Sequence, residues 1–409
     1  MPSAQPVRAE HARRVHMTRG RALLALAVLV GILAAFAPAF APAFAPAFAP
    51  GGGRTTPVAL TARANATTHK RKPRRKHAKP VPLAVSVKAN KLVNGRGETV
   101  RLVGVNRSGS QYMCVLGRGI FDGPTDAASI AAMKTWQINV VRVPLNEDCW
   151  LGINGLNPSY SGPAYRSAIE AYVAELNAAG LYVILEVHWN APGSERSDGQ
   201  REMLDASHGY TLWQSIATAF KGHPAVLFDL YNEPHGLGAT TEEQWRCWEH
   251  GCGEYAGMSG LVTAVRATGA RNVILLGGLS WASDDSEWLQ HEPYDPLHQL
   301  AATFHVYYEH TLCTEESCWN KTLLPLAAHV PLVNDEFGEL QCGDPAAIAW
   351  LNEWMSYATA HGFSMLAWTW DAKAGECSQY LLTSYAISFT PYGAAVEAFY
   401  VKHPRHQGT

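Results

Sequence analysis

A chain of 409 residues, 47% hydrophobic and 17% charged, can hold one α/β domain of ~250 residues or more, or two or three smaller ones. Its formal charge of −2 conceals a split, because residues 1–80 carry 14 Lys and Arg and a single acid, Glu10, leaving 19 bases against 34 acids in the rest. That acidic remainder excludes a nucleic-acid-binding surface on the globular part, and the basic segment reads as a tail rather than a groove.

In chain order, Arg8, Arg13, Arg14, Arg19 and Arg21 precede an uncharged apolar run at 22–37 and Phe-Ala-Pro-Ala repeats at 36–50. Residues 1–50 are therefore expected to be a signal peptide or membrane anchor of an exported chain. Residues 51–82, with bases and prolines crowded into 70–79, are expected to form a disordered basic linker suited to an anionic wall polymer. Globular composition begins at residue 83. Val93-Asn-Gly-Arg-Gly-Glu98 reads as a hairpin turn, and eight strand-like runs follow at 100–106, 138–145, 181–189, 226–233, 272–278, 300–307, 330–337 and 363–371. Helical patterns lie between several of them, clearest at 163–179 before Gly180, at 207–221 and at 346–361. Eight nearly continuous apolar strands alternating with helices predict a single (β/α)8 TIM barrel over 83–405. A doubly wound sheet is the alternative, but no Gly-rich phosphate loop follows the first strand.

The fourth run, Leu227-Phe-Asp-Leu-Tyr-Asn-Glu-Pro-His-Gly236, turns polar at Asn232-Glu233 and is expected to stop at Pro234, which has no N–H for the ladder. Polar and aromatic residues stand at the same end of other runs: Arg142, His188, Trp189, His305, Tyr307, Glu336, Trp368 and Trp370. In a barrel that end carries the chemistry.

Seven segments in order carry a resemblance: Leu102-Val-Gly-Val-Asn106, Asn139-Val-Val-Arg-Val-Pro144, His188-Trp189, Leu230-Tyr-Asn-Glu-Pro234, His305-Val-Tyr307, Asp335-Glu-Phe-Gly338 and Trp368-Thr-Trp370. Over residues 90–399 the chain resembles glycoside hydrolase family 5, cellulase-like enzymes of the superfamily with catalytic glutamates on strands four and seven. The resemblance implies a secreted, configuration-retaining β-glycosidase, foremost an endo-β-1,4-glucanase, with Glu233 as acid/base and Glu336 as nucleophile. It also places Tyr307 near the nucleophile and His305 near the acid. Mannan, xylan, β-1,3-glucan or a glycolipid stay open as substrates, and a glycan-binding barrel without catalysis is the reading from another class.

Two carboxylates suffice for glycoside hydrolysis, one giving a proton to the leaving oxygen and the other attacking carbon or activating water. Arg142 is the expected cation to hold Glu336 ionised, leaving Glu233 as the group that takes a proton. Asn232 is expected to meet the sugar 2-hydroxyl and His188 another hydroxyl. Trp189, Trp281, Trp368 and Trp370 are candidate stacking platforms, Trp370 being favoured for the last motif. Glu186, Asp229 and Asp335 read as structural: Glu186 orienting His188, Asp229 lying deeper in the barrel, and Asp335 facing away from Glu336. No cofactor or metal is expected, since neither His-Glu-x-x-His nor close ligand spacing is present. The expected partner is a β-linked oligo- or polysaccharide bound by a monomer, with membrane contact only through residues 1–50.

All eight cysteines follow strands and so fall on the catalytic face, and neighbouring strands have neighbouring loops. The expected pairs are Cys114–Cys149, Cys247–Cys252, Cys313–Cys318 and Cys342–Cys377, as suits an oxidising compartment.

Overall fold

The computed structural model describes residues 83–373 and 376–404; the segments read as leader (1–50) and linker (51–82) lie outside them. Among the described residues no helix is long and apolar enough to cross a membrane. Eight parallel strands close a barrel in chain order: β1 (Val103–Asn106), β2 (Val140–Asn146), β3 (Tyr182–Trp189), β4 (Val226–Asp229), β5 (Ile274–Gly277), β6 (Leu300–Tyr307), β7 (Leu332–Gly338) and β8 (Ser364–Ala367), with β8 returning to β1.

Every residue of β1, β2, β4, β5, β7 and β8 is buried, because one face looks into the barrel and the other lies under helices. The two-residue period sorts them. Val140, Ile184, Leu227, Leu275, Ala301, Val333 and Leu366 form one buried cluster inside the barrel. Their neighbours Val141, Leu185, Phe228, Ile274, Ala302 and Phe337 join a larger cluster beneath the helices. Gly104 lets β1 approach β2, since a Cβ there would overlap the Val140 carbonyl.

The helices form where expected, at Pro163–Ala178, Gly209–Phe220 and Pro345–His361. In the first, Tyr165, Ile169, Tyr172, Val173 and Leu176 make the buried stripe at three- and four-residue spacing. The last is capped by Asp344, whose carboxylate accepts from the Ala346 and Ala347 amides, and ends at left-handed Gly362.

Three details differ from the expectation. The segment 93–98 is a hairpin turn as expected, closed by the antiparallel Val93–Thr99 bridge and the Val100 amide donating to the Leu92 carbonyl at 2.9 Å, but a further hairpin precedes it, pairing Val85–Lys88 with Lys91–Asn94 and turning at Ala89-Asn90. This hairpin seals the amino-terminal end of the barrel: the Val85 amide donates to the Pro224 carbonyl at 2.9 Å and the Asn90 side chain to the Ala327 carbonyl at 2.8 Å. β4 ends at Asp229, so Pro234 is not what stops it; beyond Asp229 only separate bonds persist, such as that from the Asn232 amide to the Val187 carbonyl at 3.1 Å. Between β6 and β7 the register slips, with Phe304 opposite Asn334 but His305 opposite Glu336, leaving Asp335 as an extra residue.

The four disulfides pair as expected, Cys114–Cys149, Cys247–Cys252, Cys313–Cys318 and Cys342–Cys377.

Candidate active site

Arg142 projects from β2 into the barrel and spends all five N–H donors there. Nε and Nη2 meet Asp229 Oδ2 at 3.0 and 2.7 Å, Nη2 also meets Asn232 Oδ1 at 2.9 Å, and Nη1 meets Asn106 Oδ1 at 3.1 Å and Glu336 Oε1 at 2.6 Å. With no exposed surface and no donor to spare, Arg142 cannot touch a ligand. Its placement among the substrate-binding residues is corrected: it is a scaffold for Glu336 and Asn232. Asn106, at the end of β1, completes the scaffold by donating to the Asp335 carbonyl at 2.8 Å.

Glu336, on β7, also accepts from the Tyr307 hydroxyl at 2.7 Å, so each of its oxygens is held by a donor. Glu233 stands across the cleft. His305 Nδ1 lies 2.8 Å from its Oε1, and Gln200 Nε2 donates to its Oε2 at 3.2 Å. One oxygen of each glutamate and His305 Nδ1 all fall within 4.8 Å of one another. That spacing could hold a cation, but here the three groups satisfy each other directly. His188 Nδ1 bonds Glu186 Oε1 at 2.7 Å, which orients the ring as expected, and the ring stacks on Trp368 with centroids 5.2 Å apart.

Asp335 does not face away from this group. Two residues beyond the inward Val333 it keeps the strand alternation, and the β7 irregularity instead turns Glu336 inward beside it; the Asp335 carboxylate lies 3.5 Å from Arg142 Nε and 3.4 Å from His305 Nε2. Asp229, expected lower in the barrel, is separated from the mouth by only the width of one guanidinium.

Five carboxylates thus crowd around Arg142 and His305, and they cannot all be charged. Burial, then Asp335 and Glu186 against the pull of Arg142, puts Asp229 well above the usual carboxylate range, whereas Arg142 and His305 hold Asp335 below it despite burial. One proton shared by Asp229 and Asp335 satisfies oxygens that otherwise lack partners. Burial also raises both cleft glutamates. On Glu233 the His305 hydrogen bond and charge outweigh it and the pKa is lowered; on Glu336 burial and the neighbouring Glu233 charge outweigh His305 and Arg142 and the pKa is raised. This reverses the order expected for the free protein, and the reason is the 2.8 Å contact to His305, itself held protonated well above the ordinary histidine value by the surrounding carboxylates. The mobile proton rests on the Glu233–His305 pair.

The cleft above these groups has a volume of about 270 Å³ and is lined by His188, Asn232, Glu233, Tyr307, Glu336, Trp281 and Trp368, with Gln379 at its edge. Trp281 is half exposed and held by stacking on His235, centroids 3.4 Å apart. Trp368 is the last-motif tryptophan that faces the cleft, donating Nε1–H to Gln379 at 3.2 Å. Trp370, favoured from the sequence, is 2% exposed and packs edge-on against Trp136 in the core. β8 ends at Ala367, so strand alternation does not extend to either tryptophan. Trp189 likewise packs on the core beside Tyr112 and does not line the cleft. Gln200, Gln379 and Asn106 join the site without being expected there; the first two lie in irregular loops where no periodicity marks them. A larger depression of about 660 Å³ lies at the amino-terminal end of the barrel around Tyr294 and His298; of the two carboxylates that line it, Asp295 is tied to Arg266 at 2.8 Å.

Residues 93–374 match the family described as cellulase (glycosyl hydrolase family 5). A manganese-dependent endoglucanase of Phanerodontia chrysosporium is 26% identical over 195 residues, 46% of this chain and 46% of that protein. Endoglucanase Z of Dickeya dadantii is 23% identical over 289 residues, 69% and 59% respectively, so the chain spans about half the length of these relatives. The catalytic domain of the major endoglucanase from Xanthomonas campestris pv. campestris shares the fold, with a TM-score of 0.60 at 20% identity over 78% of this chain and 99% of that one. A closed eightfold barrel whose mouth holds two facing glutamates, together with a family match over most of the chain, makes this protein a glycosyl hydrolase of the cellulase family, glycosyl hydrolase family 5.

Proposed function

We propose that the chain is a secreted endo-β-1,4-glucanase that cleaves by double displacement with retention. The observation that carries the mechanism is the closeness of the glutamate pair: one oxygen of each lies within 4.8 Å of the other, which favours the ~5–5.5 Å spacing of retaining sites over the ~6.5–9.5 Å of inverting ones. Arg142 and Tyr307 hold the two oxygens of Glu336, which lines the cleft, for attack on the anomeric carbon. Glu233 takes the proton it shares with His305 and passes it to the leaving oxygen, then removes a proton from the water that hydrolyses the glycosyl-enzyme. Asn232 is fixed through its Oδ1 by Arg142 and donates one amide hydrogen to Gln200 Oε1 at 3.0 Å, which leaves its second amide hydrogen for a sugar hydroxyl.

Glucan as the substrate rests on the endoglucanases among the relatives and on two tryptophans, 281 and 368, that offer stacking faces in one open cleft. Release of reducing ends from carboxymethylcellulose, β-1,3-glucan, mannan and xylan tests it. Faster release from mannan or xylan than from β-1,4-glucan would replace the substrate and keep the mechanism.

Export is supported by four disulfides and by the basic-then-apolar sequence at 8–37. The catalytic unit we assign to 83–405, and deletion of residues 1–82 is expected to leave activity and unfolding temperature unchanged. A truncated protein that fails to fold under oxidising conditions would move that boundary.

A further inference from the structure

Outside the cleft, three groups with metal-binding chemistry converge from two loops. Glu147 opens the short helix that follows β2, while Asp205 and His208 lie three apart at the end of the segment joining β3 to the helix Gly209–Phe220. His208 Nδ1 is 3.6 Å from Glu147 Oε1 and 3.7 Å from Asp205 Oδ1, and one donor atom from each residue lies within 4.8 Å of the others. These separations are too long for direct hydrogen bonds but close to the ~3.4 Å between neighbouring ligands of a tetrahedral ion bound at ~2.1 Å.

The partners of these groups leave the centre unfilled. Glu147 has no exposed surface; its Oε1 accepts only a long 3.4 Å bond from the Ala191 amide, and its Oε2 has no partner. His208 Nδ1 is also without a partner. Asp205 Oδ1 accepts from the His208 amide at 2.9 Å and Oδ2 takes a long 3.4 Å bond from the Asn190 side chain, which leaves lone pairs on both oxygens. Among the described residues no lysine or arginine pairs with either carboxylate, in contrast to the cleft, where Arg142 neutralises its neighbours. Without a cation the two buried carboxylates can coexist only by sharing a proton, and burial with the Asp205 charge pushes Glu147 well above the usual carboxylate range; a divalent ion with one imidazole takes the place of that proton.

We infer that Glu147, Asp205 and His208 form a structural binding site for a divalent cation of borderline character, Zn²⁺ or Mn²⁺ rather than Ca²⁺. The imidazole sets the preference, since Ca²⁺ takes six to eight oxygens and this site offers at most four from the two side chains. None of its residues belongs to the glutamate pair or its hydrogen bonds, so the site stands whether or not the glucanase mechanism does. The ion ties the end of β2 to the β3 loop. That loop is the one whose Gln200 bonds Glu233 and whose Arg201 and Glu202 carbonyls receive the Tyr231 hydroxyl and the His235 amide.

The full chain, disulfides intact, is stripped with EDTA and titrated calorimetrically with ZnCl₂, MnCl₂ and CaCl₂. One equivalent of Zn²⁺ or Mn²⁺ should bind, with Ca²⁺ weaker. D205N and H208Q should each weaken binding by roughly 100-fold, whereas E233Q should not change it. H208Q serves if D205N, which loses a turn-forming carboxylate, fails to fold, because His208 is a quarter exposed. Hydrogen exchange of peptides covering 190–208 should slow on loading the wild type and not in H208Q. Failure of the stripped wild type to bind any of the three ions at millimolar concentration overturns the inference. Binding that D205N and H208Q leave intact and E233Q abolishes overturns it too, by placing the ion in the cleft.

Discussion

The barrel interior has a lower and an upper layer built on the same strands two residues apart. Val140, Ile184, Leu227, Ala301, Val333 and Leu366 fill the lower one; Arg142, Glu186, Asp229, Thr303 and Asp335 stand above the first five. Position and burial are nearly the same, and the energetics are opposite. In the lower layer each side chain contributes its own transfer and packing energy, so damage stays local. In the upper layer no charge is stable alone: Arg142 faces four carboxylates within 3.6 Å, so every member depends on the others.

That contrast breaks most readily at its charged members. Glu336→Ala should cut turnover to below about a hundredth, a barrier of at least ~3 kcal/mol, while denaturant unfolding stays near wild type. Arg142→Ala should lose activity and also ~3–5 kcal/mol of stability, because it leaves Asp229, Asp335 and Glu336 buried without their cation. If Arg142→Ala unfolds like wild type, the upper layer is not a coupled unit.

Leu227→Ala, one layer down, should cost ~2–5 kcal/mol in unfolding experiments and leave kcat/KM of the folded fraction unchanged. A parallel loss of kcat would show that the layers are not separable.

The pH profile of kcat/KM sharpens the account of the proton. Glu336, raised by burial, must be ionised to attack, so activity should fall as pH drops through a value above the usual carboxylate range. On the alkaline side the Glu233–His305 pair must keep its proton, so activity should fall only as pH rises through the elevated His305 value. In His305→Ala the proton rests on Glu233 alone, and the alkaline limb should move to lower pH. An alkaline limb that stays in place contradicts the shared proton. The smallest effect is expected at the rim, where Trp281→Ala should raise KM by roughly fivefold, ~1 kcal/mol, with kcat kept.

Much of this architecture was legible because it rests on periodicity. Continuous apolar runs located the eight strands, and the change from apolar to polar at their ends located Glu233, Glu336, His188 and Tyr307. The failures lie where periodicity stops. Asp335 and Glu336 both face inward because a register slip interrupts the alternation between them, and Trp370 went to the core because β8 ends before it. The order of the glutamate pKa values depends on one distance between residues 72 apart in the chain, His305 to Glu233, which spacing along a strand does not encode. Gln200 sits in an irregular loop, and Asp205 and His208 gain meaning only beside Glu147 from another loop.

In the proposed mechanism Glu336 attacks carbon and Glu233 handles the protons. It is tested most directly with Glu233→Ala acting on an activated aryl β-glycoside, whose leaving group needs no protonation. The glycosyl-enzyme on Glu336 should form and accumulate, since no base remains to activate water, and azide, which needs none, should speed turnover and yield a β-glycosyl azide. An α-glycosyl azide would mean a single displacement with inversion, and Glu336 would not be the nucleophile.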